Sequence, residues 1–144
     1  MLTAAAQATT GALSDDAIRQ TVLAGLEGRF TGQRVLVLIP DRTRTLPLPP
    51  LFRLVVDALR DARQVDVMVA LGTHLPLNDE SLLHLVGLSA EERETTYRHI
   101  GLFNHVWDDD DALQQVGTLS REQVQNLAGE IWHPSLGGDV PVRI

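Results

Sequence analysis

Two apolar runs, residues 34–40 and 65–71, each lead directly into a polar cluster: Asp41-Arg42-Thr43-Arg44 after the first and Gly72-Thr73-His74 after the second. Aliphatic and β-branched residues on consecutive positions are the pattern of a parallel strand covered on both faces, and Pro40, which has no N–H, cannot continue the first ladder. Between the runs, Pro49 and Pro50 start a helix in which Leu51, Val55, Ala58, Leu59 and Ala62 form one apolar stripe. Strand, helix, strand in that order predicts a right-handed parallel crossover. Both polar clusters then fall at the C-terminal ends of neighbouring strands, the edge where open α/β sheets place their ligand sites.

The flanking segments carry their own punctuation. Ser14 caps a helix with Asp15 and Asp16 in its first turn, an apolar repeat at Ile18, Val22 and Leu26, and a stop at Gly28. Residues 1–13 lack the basic start of a secretory signal and read as a loose lead-in. Asn78, Asp79 and Glu80 open a short helix that Gly87 stops, and Ser89 with Glu92 matches a capping box for another. Residues 100–106 read as a third strand, followed by an acidic turn at 108–111 and a further turn at Gly117. Residues 130–133, a turn containing Gly137-Gly138, and residues 140–144 read as a hairpin that stops mid-strand, as if the natural chain continued beyond Ile144. The expected architecture is α/β: a Rossmann-like sheet with a parallel core and flanking helices, mixed at its C-terminal end, within one domain spanning 14–144.

Composition removes several function classes. A chain of 144 residues has room for one core and hardly for two. A net charge of −7 argues against a nucleic-acid footprint, and no apolar run approaches the roughly 20 residues of a membrane span. All 12 basic residues are arginine, which excludes a lysine Schiff base. Zero cysteines exclude disulfides, thiolate metal sites and a cysteine nucleophile, and fit a cytoplasmic protein. The expected partner is a small molecule.

The two clusters suit such a partner. Arg44 can grip a carboxylate or phosphate with two hydrogen bonds, while Asp41 and Thr43 can orient a hydroxyl. Gly72 permits close backbone approach, Thr73 adds a hydroxyl, and Pro76 stiffens the exit, so His74 is presented rigidly. An imidazole, whose ordinary pKa is about 6.5, suits proton transfer near neutrality. The same residues also fit a plainer description, an Asp-capped turn with solvated arginines and a helix-capping histidine. His84 and His99 read as structural or surface residues. His105 either packs as a satisfied core histidine or reaches the edge occupied by His74, and His133 has the weaker claim. The acidic residues 108–111 lack the ligand spacing of a calcium loop, and no metal ligand set is read from the sequence.

Taken together, Asp41-Arg42-Thr43-Arg44 with Pro47, Ala70-Leu71-Gly72-Thr73-His74 with Pro76 and Glu80, and Asn104-His105 before an acidic stretch and Gly117 resemble the N-terminal domain of the nickel-dependent lactate racemase family. The resemblance implies a nickel pincer nucleotide held in a cleft between two domains, accepting a hydride from a 2-hydroxy acid while a histidine takes the hydroxyl proton. By motif, His74 matches the first acid/base histidine, and Asp41, Thr43 and Arg44 match the loop lining the cofactor and substrate site. There are departures. Leu75 stands where the family commonly has arginine, and the lysine that joins the cofactor has no counterpart in a chain without lysine. The second catalytic histidine and the nickel-binding histidine would lie beyond Ile144. The chain alone is therefore expected to be inactive and to hold no cofactor. Two rival readings are a small-anion-binding domain using Arg42 and Arg44, and an interaction module whose apolar surface, normally met by a missing C-terminal domain, drives homo-oligomer formation.

Overall fold

The computed structural model describes residues 4–72, 74–133, 135 and 137–143. The chain divides into two compact units, Met1–Asn104 and His105–Ile144. The first is an α/β unit in the order α1 (Asp15–Leu26), β1 (Arg34–Pro40), α2 (Leu48–Ala58), β2 (Gln64–Ala70), α3 (Asp79–Val86), α4 (Ala90–Glu94) and β3 (Gly101–Asn104). Its three strands form one parallel sheet in the order β1-β2-β3. No helix among the described residues is long and apolar enough to cross a membrane.

Helix boundaries follow local chemistry. Ser14, Asn78 and Ser89 each accept a hydrogen bond from a backbone amide three residues on, and Ser89 with Glu92 closes the expected capping box. Gly87 ends α3 at φ +69°, and a Cβ there would lie 2.5 Å from Cβ of Pro49, so glycine is required by both conformation and space. Arg53 of α2 bonds Glu92 (2.8 Å), the Gly87 carbonyl (2.7 Å) and the Tyr97 hydroxyl (3.3 Å), tying α2 to the α3–α4 segment. The Arg53 guanidinium, with help from the Ser89 amide, lowers the Glu92 carboxyl to about 2.

One face of the sheet carries the core. Val37 and Ile39 of β1 and Val67 and Val69 of β2 pack with Phe52 and Val56 of α2 and Leu82 and Val86 of α3. The expectation of cover on both faces does not hold: Leu36 and Leu38 of β1 and Phe103 of β3 are exposed. β1 and β3 are the sheet's edges. Pro40 also keeps register with Ala70, which an edge position tolerates because one side of the strand has no ladder to serve.

The second unit departs further from the sequence reading. β4 (Gln115–Leu119) pairs antiparallel with β5 (Val140–Arg143), and between them lie α5 (Arg121–Ala128) and a 3-10 turn at Gly129–Ile131. Gly117, expected as a turn, sits inside β4 beside an irregularity in the register between Gln115 and Gly117; a bulge is where a strand accepts a glycine. Residues 130–133 are not a hairpin arm, since the partner of β5 is β4. The third strand is shorter than expected, closing at Asn104.

Candidate functional site

β1 and β2 run in parallel register from Arg34↔Gln64 to Pro40↔Ala70, so the chain leaves both strands at the same level. Asp41 and Leu71 are the first residues out. Asp41 is only 8% exposed, the one buried charged side chain among the described residues. Its Oδ1 accepts from the Thr43 amide (3.0 Å) and the Thr43 hydroxyl (2.5 Å), while its Oδ2 is bonded to Nδ1 of His74, 33 positions away. The Thr43 bonds above all, then the His74 bond, lower the Asp41 carboxyl from 3.8 to about 2. It is therefore an anion throughout the neutral range. An ionised acceptor requires hydrogen on Nδ1, which leaves Nε2 as the basic nitrogen of the neutral ring.

Two further devices fix the His74 loop. The His74 amide donates to the Leu71 carbonyl (3.0 Å) across a turn that Gly72 enters at φ +58°. At the loop's far end the Asn104 side chain takes both backbone groups of Leu77: its Oδ1 accepts from the Leu77 amide (3.1 Å) and its Nδ2 donates to the Leu77 carbonyl (2.9 Å). Asn104 ends β3, beside β2, so all three strand ends contribute to one edge. In the sequence Asn104 stands out only as part of a motif; its clamp on Leu77 needs the third strand in place. Thr73 lies outside the described residues.

A hollow of about 230 Å³ adjoins this pair, lined by the polar residues Asp41, Arg42, Thr43 and His74 together with Leu71, Leu75 and Leu77. Arg42 is the arginine that shares this hollow with His74. Arg44, which the sequence favoured, lines an adjoining hollow of about 250 Å³ with Arg42 and His84. Arg42 and Arg44 are both exposed, and neither forms an ion pair among the described residues. His84, assigned no role from the sequence, also borders a third hollow of about 390 Å³ with Arg42, Glu80 and Ser81.

The second unit contributes no comparable constellation among its described residues. His105 leaves Nε2 buried without a hydrogen-bond partner, so it is not the satisfied core histidine the sequence allowed. His133 bonds its near neighbour Ser135 (2.7 Å). The acidic residues 108–111 are exposed, and Asp110 pairs with Arg143 (2.5 Å).

A crystal structure of a Thermotoga maritima protein is similar to this chain over 92% of its residues, at 23% identity and a TM-score of 0.72, a likeness of fold. The chain spans only 30% of that protein's length. No match is found among curated proteins. Residues 7–131 match the family model described as the lactate racemase N-terminal domain. With most of its length matched, including both strand-end clusters, the chain belongs to the lactate racemase N-terminal domain family.

Proposed function

We propose that this chain is the part of a cytoplasmic 2-hydroxy acid racemase or epimerase that supplies an acid/base histidine and a carboxylate-binding loop. The observation that carries the reading is the Asp41–His74 pair, held by Thr43 and lining a hollow together with Arg42. A buried carboxylate behind an imidazole sets the tautomer and orientation of the ring and stabilises the imidazolium formed when Nε2 takes a proton. Arg42 or Arg44 holds the substrate carboxylate, which brings the neighbouring C2 hydroxyl toward that nitrogen. Return of that proton from Nε2 regenerates the starting enantiomer, so forming the opposite one requires a second acid/base group on the other face of the planar keto acid. A non-catalytic anion site would use the same arginines, but it gives no reason for the ionised Asp41 behind the ring.

The family's nickel pincer nucleotide does not fit these residues alone. The chain has no lysine for covalent attachment, and the described residues contain no group of three or more His, Asp or Glu side chains that could hold a metal. Such a cofactor, acting as hydride acceptor, would have to be held by further sequence, with this chain providing the proton-handling wall. The test uses the longer protein that carries this chain, with D/L interconversion followed by chiral chromatography. His74→Ala should lower the rate by about 10²- to 10⁴-fold, the usual worth of a positioned general base, while leaving the amide spectrum intact. An unchanged rate would remove His74 from the mechanism.

A further inference from the structure

We infer, resting on the reading above, that Leu75 selects 2-hydroxy acids whose side chain is a hydrocarbon over those bearing a second carboxylate. Leu75 is 87% exposed, although leucine gains most by burial. It is not a slack loop tip. The residue before it is tied to Asp41 and to the Leu71 carbonyl, the residue after it is proline, and Leu77 is held at both backbone groups by Asn104. Four fastenings around one apolar side chain fix where it is shown to solvent.

It lines a hollow of mixed character, to which Arg42, His74 and the Asp41–Thr43 pair bring polar groups and Leu71, Leu75 and Leu77 bring hydrocarbon. A ligand matching this mixed lining has a carboxylate and a hydroxyl on adjacent carbons and a hydrocarbon remainder. At about 230 Å³ the hollow is small even for a ligand pocket, which favours a compact acid. A second carboxylate placed against Leu71, Leu75 and Leu77 would meet no hydrogen-bond donor on those side chains. Hydrocarbon there removes apolar surface from water on both molecules.

The probes are lactate, 2-hydroxy-4-methylpentanoate and malate, titrated into the longer protein that carries this chain and followed by the amide and imidazole signals of residues 71–77. The branched acid should bind roughly tenfold more tightly than malate, the scale on which apolar pockets discriminate. Leu75→Arg should reverse that order without altering the remaining spectrum, since the position is exposed. If all three acids shift the His74 signals but the order is the same in both proteins, or malate binds best to the natural chain, the selectivity role is overturned and the racemase reading survives. If no 2-hydroxy acid disturbs His74, both fall together.

Discussion

Val67 and Val69 of β2 are 1% and 0% exposed, whereas Leu36 and Leu38 of the neighbouring β1 are 47% and 53% exposed. The residues are equally apolar, and alternation along a strand sends them to opposite faces of one sheet. The first face meets α2 and α3 and holds the continuous cluster that includes Phe52, Val56, Leu82 and Val86. Across the second, Leu38, Met68 and Phe103 stand in register on the three strands, and only the central Met68 is buried. The difference shows that hydrophobicity reports what a strand can bury; which face is covered depends on where the helices pack. It also explains why the site is built at the strand ends: the covered face makes β1 and β2 stiff, so Asp41 and His74 emerge at a fixed separation.

The largest effect should come from the covered face. Phe52 is 3% exposed and packs with the sheet and with the Tyr97 ring at 5.8 Å between centroids. Phe52→Ala removes this contact and leaves a cavity, for a loss of about 3–5 kcal/mol in denaturant unfolding. A loss below about 1 kcal/mol would mean that this face is not the stability core.

Met68 tests the middle of the comparison. It lies on the less covered face yet is only 8% exposed, because Leu38 and Phe103 flank it. Met68→Ala should cost about 2 kcal/mol, the low end for a buried methionine, since neighbours on an open face can close over the gap. A cost equal to that of Phe52→Ala would erase the distinction between the faces.

This contrast also marks what the sequence could convey. Elements governed by near neighbours were legible: the caps at Ser14, Asn78 and Ser89, the stop at Gly87, and the two strands with their connecting helix. The meeting of Asp41 with His74 was legible too, because parallel neighbours bring their trailing residues to one edge. What failed depended on distant partners. A uniformly apolar run has no alternation to betray an uncovered face, so Leu36 and Leu38 looked like core. Gly117 looked like a turn because its strand partner, Val142, lies 25 positions downstream. Helix α5 was missed although Ser120 and Gln123 close a capping box, because its apolar stripe is thin and no residue of it is buried. At the site, Arg42 rather than Arg44 lines the hollow that holds His74, a distinction within one loop that spacing does not encode.

The smallest effect is the most informative about the open face. Leu38 sits at the edge of the sheet, with more than half its surface already in solvent. Leu38→Ser should therefore change unfolding stability by no more than about 0.5 kcal/mol, as for other surface substitutions. It should also reduce any tendency of the chain to self-associate, because Leu36, Leu38 and Phe103 leave apolar surface on this face that water must otherwise cover. Sedimentation at several protein concentrations, run beside the unfolding measurement, separates the two effects. If stability falls by more than about 1.5 kcal/mol and the loss grows with protein concentration, this apolar surface is covered by a second copy in solution. The two faces would then differ in which molecule covers them, and no longer in whether they are covered at all.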